Sequence, residues 1–347
     1  MPTMDVIRVL VVDDSAYVRK VVTQMLTRSP RIEVVGMARD GHEALEQVAE
    51  LHPDVVTCDL IMPNLDGPGF VREQMSRAPL PIVIVSVASA SGEMVLSALD
   101  AGAVDFVQKP TALASDRLFE MSEELIAKLT AAAGARVRPV VRETPRTRLV
   151  APLRSGGRLC DIVVLGISTG GPQALRALIP RLPAEFSVPF AIVLHMPVGY
   201  TELYAQKLDE LSALTVVEAK DGTEVKCGSV LLAPAGRHLT LRRDSVGSVR
   251  THLDIRPLDT PHRPSVDELF KSAVDVYAGR VLGVVMTGMG SDGREGAAWI
   301  KAKGGAVLTE AEDSCVVYGM PRSVVEAGLS DRAVGLGQMA DAILEHV

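Results

Sequence analysis

Aromatic side chains are scarce in this chain: six Phe, five Tyr and one Trp make up 3% of 347 residues. Its cores must therefore be built from Val, Leu, Ile, Ala and Met. Cysteines are few and scattered, at Cys58, Cys160, Cys227 and Cys315, with no C-x-x-C pair. That excludes a metal cluster or disulfide framework and fits a reducing compartment. No window holds the ~18 uninterrupted apolar residues of a membrane-spanning helix. The opening MPTMDVIRVLVVDD closes its apolar run with acids, so it reads as a buried strand, not a signal peptide. A cytoplasmic location is expected. There is no surplus of positive charge either; the formal net charge is −7, which argues against a general nucleic-acid binder. What remains is an ordinary globular composition, 47% hydrophobic and 23% charged, long enough for two domains.

Residues 1–127 alternate β-branched runs (Val6–Val12, Glu33–Ala38, Val55–Cys58, Pro81–Ser86, Val104–Gln108) with amphipathic stretches. Five β-α units predict a doubly wound parallel sheet, with Asp116–Leu129 as its last helix. Residues 128–158 carry eight Lys and Arg against one Glu, and three prolines. Between blocks of net charge −9 (1–127) and −5 (159–347), they read as a basic linker. Such a linker is either a solvated tether or a segment that docks on an acidic surface. Residues 159–347 start a second β-α series. Its strands are expected at Asp161–Gly166, Phe190–His195, Ser229–Ala233 and Arg280–Thr287, with hairpin-like alternation over Arg237–Arg256.

Three carboxylates stand where strands of the first half should end: Asp13 and Asp14 after VLVV, and Asp59 after VVTC. Ligands of open parallel sheets gather at that edge. Three converging acids require a hard divalent cation such as Mg²⁺. Ser86 and Lys109 end the next two strands and suit a phosphoryl group on a carboxylate. VLVVDDS, CDLIMPNLDG, SVAS and DFVQKP resemble the response-regulator receiver family. The resemblance implies a flavodoxin-like fold, Asp59 as phosphoacceptor, and Mg²⁺ held by Asp13, Asp14, Asp59 and the Ile61 carbonyl. It also implies Ser86 and Lys109 at the phosphoryl group, Phe106 as aromatic switch and a histidine kinase as phosphodonor. Ser86 stands where Thr is common. Pro68 and Gly69 are expected to weaken the start of the helix after Asp59.

In the second half, Ser168 lies between strand DIVVLG and helix PQALRALIPRL, in a G-x-S-x-G turn. A helix N-terminus there favours a developing oxyanion, or equally a bound phosphate. His195 ends FAIVL and can serve as base, with His238 and His262 as rivals. Asp292, in TGMGSDG after VLGVVM, either orients the base or caps the helix after it. The order Ser, His, Asp departs from the Ser, Asp, His of α/β-hydrolases.

GISTGGPQAL, VLHMPVGYT, LLAPAGRHL, HRPSVDELF, VVMTGMGSDG and CVVYGMP together resemble the chemotaxis protein-glutamate methylesterase family, CheB. That implies a three-layer α/β domain over residues 159–347, with a mostly parallel sheet and an antiparallel hairpin. It implies a Ser168–His195–Asp292 triad, an oxyanion donor in the Met289 N–H, and Thr169 lining the site. No cofactor is implied for the esterase chemistry. Substrates would be methyl esters of glutamate, and glutamines, on methyl-accepting chemoreceptors. A phosphorylation-released receiver would cover the site. No nucleic-acid partner or membrane insertion is expected. The rival readings are a receiver-linked esterase or amidase outside chemotaxis, and a non-enzymatic module binding an anion at ISTGG.

Overall fold

In a computed structural model, the described residues are 6–87, 92–109, 115–135, 137 and 159–347. The chain divides into two compact units, Met1–Val141 and Arg142–Val347. No helix among the described residues is long and apolar enough to cross a membrane.

The first unit runs β1 (Ile7–Val12), α1 (Ala16–Leu26), β2 (Ile32–Ala38), α2 (Gly41–Leu51), β3 (Val55–Cys58), α3 (Gly67–Arg77), β4 (Ile82–Val87), α4 (Gly92–Ala101), β5 (Asp105–Lys109) and α5 (Ser115–Ala133). The sheet is parallel, in the order β2-β1-β3-β4-β5. The chain leaves β1 first to one side and then to the other, so the carboxyl ends of β1 and β3 flank a topological switch point.

Two expectations need correction. The linker expected from residue 128 begins later, because α5 continues to Ala133. Lys128 anchors that last stretch, bonding Asp105 (3.0 Å) and the Phe106 carbonyl (2.7 Å); residues 138–158 lie outside the described ones. Nor does Pro68 interrupt the start of α3. Pro68 sits in the first turn, where a missing N–H costs nothing, and Asp66 caps the helix through the Gly69 N–H at 2.8 Å. The tight position is Gly67: a Cβ there would fall 2.3 Å from the Asp59 carbonyl oxygen.

The second unit runs β6 (Ile162–Ile167), α6 (Gly171–Leu178), β7 (Phe190–Leu194), α7 (Thr201–Leu211), β8 (Thr215–Glu218), β9 (Ser229–Leu232), β10 (His238–Arg243), β11 (Val249–Asp254), α8 (Val266–Tyr277), β12 (Val281–Val285), α9 (Arg294–Ala302), β13 (Ala306–Glu310), α10 (Met320–Glu326), β14 (Arg332–Val334) and α11 (Leu336–Leu344). Seven strands form a parallel sheet, β14-β13-β12-β6-β7-β9-β8, and β10 and β11 pair as an antiparallel hairpin. Every residue of β6, β7, β9 and β12 is buried. Such strands are covered on both faces, so they read as continuous apolar runs rather than alternating ones. One face packs Ile162, Val164, Ala191 and Val193 against Val266, Leu269 and Phe270 of α8 and Ala297 and Ile300 of α9. At ~25 cal/mol per Å² of apolar area, that contact outweighs the modest helix propensities.

Candidate active site

The acidic pocket of the first unit joins two strand ends. Asp13, Asp14 and Asp59 each offer a carboxylate oxygen, and these lie within 4.8 Å of one another. Lys109 Nζ is 2.5 Å from Asp13 Oδ2 and 3.0 Å from Asp59 Oδ2. One ammonium against three carboxylates leaves negative charge that a divalent ion with oxygen ligands would neutralise. Burial raises the Asp59 pKa, Lys109 opposes the rise, and Asp13 adds to it. Ser86, 2% exposed, has no hydrogen-bond partner for its hydroxyl among the described residues. An unsatisfied buried donor is costly unless a ligand oxygen meets it. Phe106 is buried and Ile61 is exposed. The pocket therefore fits a metal ion with an anion beside it.

The second unit gathers its reactive groups at the carboxyl ends of β6, β7 and β12, adjacent strands around its own switch point. Ile167 pairs with Leu194 across β6 and β7, so Ser168 and His195 are the next residues on neighbouring strands. The His195 N–H donates to the Ile167 carbonyl at 3.0 Å, and the Ser168 N–H to the Thr287 carbonyl at 3.0 Å. A Cβ at Gly288 would fall 2.7 Å from the Ser168 Cβ, so only glycine permits this approach. Gly170, at φ 78°, turns the chain into α6. Thr169 is buried, and its carbonyl accepts the Thr287 hydroxyl at 3.0 Å. Met289, half-buried on the turn after β12, follows directly on Gly288.

His195 Nε2 lies 2.9 Å from Asp292 Oδ2, with the two side chains 9% and 8% exposed. Nδ1 is buried without a partner among the described residues. With Nε2 committed to the carboxylate, the lone pair that can take a proton is on Nδ1. Asp292 does not cap the helix that follows it. Its Oδ2 accepts the Val266 N–H (2.8 Å) and its Oδ1 the Asp267 N–H and Ser265 hydroxyl (3.0 Å each), all at the start of α8. Asp267 in turn accepts from Gly293 (3.0 Å) and Gly296 (2.7 Å) at the start of α9. Burial opposes the Asp292 charge. The His195 hydrogen bond and charge, with the Val266 and Asp267 N–H groups, outweigh it and hold the carboxyl well below the usual range. Asp267 is pushed up to about 6 by burial, against the Gly296 N–H, with the Asp292 charge adding to the rise.

Residues 163–343 match the CheB methylesterase family, and residues 9–122 match the response regulator receiver domain. The protein-glutamate methylesterase/protein-glutamine glutaminase 5 of Myxococcus xanthus is 49% identical, covering 100% of both chains. That of Symbiobacterium thermophilum is 47% identical over 98% of this chain and 97% of its own. The chain belongs to the CheB methylesterase family. The crystal structure of the Thermotoga maritima CheB methylesterase catalytic domain shares 42% identity and a TM-score of 0.53, covering 54% of this chain and 99% of its own.

Within this CheB-family unit, the rival histidines separate. His238 is fully buried; its Nδ1 accepts the Ser265 N–H (3.3 Å) and its Nε2 meets the Pro257 carbonyl (3.1 Å). Burial lowers its pKa, so it stays neutral and ties the hairpin to the start of α8. His262 stacks on the His195 ring, with centroids 4.1 Å apart and planes 21° apart. Sequence reasoning missed Ser265 and Asp267, although S-V-D-E before an apolar run is a helix-start signature. It also missed Thr287, which carries no such signal.

Proposed function

We propose that the second unit is a serine hydrolase that removes methyl groups from glutamate methyl esters of methyl-accepting chemoreceptors, and deamidates glutamines there. In this reading Ser168 is the nucleophile, His195 the base and Asp292 its orienting acid. The observation that carries it is the register that makes Ser168 and His195 the next residues on neighbouring strands, while Asp292 bonds Nε2 of that histidine and leaves Nδ1 without a partner among the described residues.

The reaction follows from that geometry. Ser168 Oγ attacks the ester carbonyl and its proton passes to His195 Nδ1. The imidazolium is stabilised by the Asp292 carboxylate, itself fixed by three donors at the start of α8. Negative charge develops on the former carbonyl oxygen, and the Met289 N–H is the proposed donor to it; such a donor is worth about 2.7–4 kcal/mol. Thr169 lines this side. Collapse expels methanol, which takes the proton from Nδ1 and leaves an acyl-enzyme. Water then attacks, gives its proton to His195, and releases glutamate and free Ser168. For glutamine the leaving group is ammonia.

Regulation belongs to the receiver unit. Asp59 is the proposed phosphoacceptor, supplied by a histidine kinase in the cytoplasm. Asp13, Asp14, Asp59 and the Ile61 carbonyl would hold Mg²⁺, which neutralises charge on the incoming phosphoryl group. Ser86 and Lys109 would then contact the phosphoryl oxygens, and Phe106 would report the change. We place the boundary between the functional parts in the basic stretch after α5, with residues 159–347 as the hydrolase.

The test is methanol release from methylated receptor membranes by wild type and Ser168→Ala, each with and without a small phosphodonor plus Mg²⁺. Release that the phosphodonor accelerates and Ser168→Ala abolishes is expected. No release by wild type in either condition would sink the substrate assignment.

A further inference from the structure

One buried carboxylate beside the site takes no part in the scheme above. Glu310 ends β13, next to β12 in the sheet, and is 1% exposed. Its Oε2 accepts the Thr287 N–H at 2.9 Å and its Oε1 the Ser314 hydroxyl at 3.0 Å. Among the described residues no Lys, Arg or His pairs with it. Burial raises its pKa, and the nearby charge, Asp313, is of the same sign. A dehydrated carboxylate without a cation is costly, so the fold alone gives no reason to keep one here.

What it holds is Thr287, whose polar atoms are all engaged. The N–H goes to Glu310. The carbonyl accepts the Ser168 N–H (3.0 Å). The hydroxyl donates to the Thr169 carbonyl (3.0 Å) and accepts the Val317 N–H (3.0 Å). The next residue, Gly288, leaves no room for a side chain against Ser168, and its carbonyl accepts the Gly319 and Met320 N–H groups at 3.0 and 2.8 Å. Then comes Met289. Glu310 is therefore one residue removed from Ser168 and two from Met289.

We propose that Glu310 is a positioning residue of the hydrolytic site: by fixing Thr287 it sets the nucleophile and the Met289 N–H in register with each other. The proposal rests on Ser168 being the nucleophile. It requires an acceptor at this place, not a charge. Glu310→Gln keeps an oxygen for the Thr287 N–H, whereas Glu310→Leu leaves that donor buried and unpaired. Glu310→Asp keeps the charge but withdraws it by one methylene.

Two readouts on the full-length protein separate the outcomes: the rate of Ser168 labelling by a fluorophosphonate, and kcat and KM for methanol release. Glu310→Leu is expected to lose about 10²-fold in both labelling and kcat, as a displacement of ~1 Å can cost, with KM unchanged because Glu310 does not reach substrate. Glu310→Asp is expected to lose about tenfold and Glu310→Gln to stay within about threefold of wild type. Should the Leu variant not fold, the contrast between Asp and Gln decides. Leu or Asp variants that label at the wild-type rate, or a Gln variant as slow as Leu, overturn the proposal. Wild type left unlabelled at Ser168 overturns the site reading, and this inference with it.

Discussion

At the scale of single residues, His195 carries the most information. Its Nε2 is committed to Asp292, which leaves Nδ1 as the nitrogen that takes the proton in the proposed mechanism. Nitrogen-15 NMR of labelled enzyme at neutral pH should therefore find the proton of neutral His195 on Nε2; a proton on Nδ1 would contradict the assigned tautomer. Asp292→Asn presents one oxygen where the carboxylate accepts four bonds, and can face His195 with an NH₂ group. A fall in kcat of about 10³–10⁴ is expected, with the fold retained by circular dichroism. A loss under tenfold would show that Asp292 does not orient the base.

At the scale of elements, α8 and α9 exchange carboxylates at their N-termini. Asp292 precedes α9 yet serves α8, and Asp267 begins α8 yet serves α9. Each helix end thus gains a carboxylate oxygen for its free N–H groups, and at α8 the Asp292 charge also suits the helix dipole, typically about 0.3–1 kcal/mol. Two carboxylates so close cannot ionise independently, and Asp267 is the one pushed up, to about 6. A raised folded pKa gives stability that is present in full below the unfolded value near 3.8 and lost as pH rises through about 6. Wild type should therefore lose thermal stability relative to Asp267→Asn between pH 5 and pH 7.5. A melting-temperature difference that stays flat across this range would remove the basis for that claim. Ser265→Ala deletes one Asp292 donor and the α8 cap together, and should destabilise by about 1 kcal/mol in urea titration.

For the whole molecule, the prediction concerns coupling between the two units. Asp59→Asn should bring the ratio of methanol release with and without phosphodonor to one. Ser86→Ala should lower that ratio, because it removes the buried hydroxyl, unpartnered among the described residues, that is proposed to meet a phosphoryl oxygen. A ratio unchanged in Asp59→Asn would mean that the phosphodonor acts elsewhere. Removing Mg²⁺ with a chelator should abolish the acceleration in wild type without touching Ser168 labelling, since the acidic cluster lies in the other unit.

Both candidate sites could be placed from the sequence because parallel sheets put chemistry where strands end, and strand ends can be read from apolar runs. Asp13, Asp59, Ser86, Lys109, Ser168, His195 and Asp292 all follow or close such runs. Strands β8, β13 and β14 escaped notice: β14 has three residues, and the polar ends of β8 (TVVE) and β13 (AVLTE) leave apolar runs too short to show a pattern. The sequence by itself determined two parallel α/β units and the residue types at their edges, since burial on both faces writes itself into composition. Only the tertiary structure decided the pairings: which nitrogen of His195 meets Asp292, which helix Asp292 serves, that His238 supports while His262 stacks, and that Glu310 reaches Thr287. Those depend on contacts between residues 20 to 100 positions apart, set by strand register and helix placement that no local pattern records.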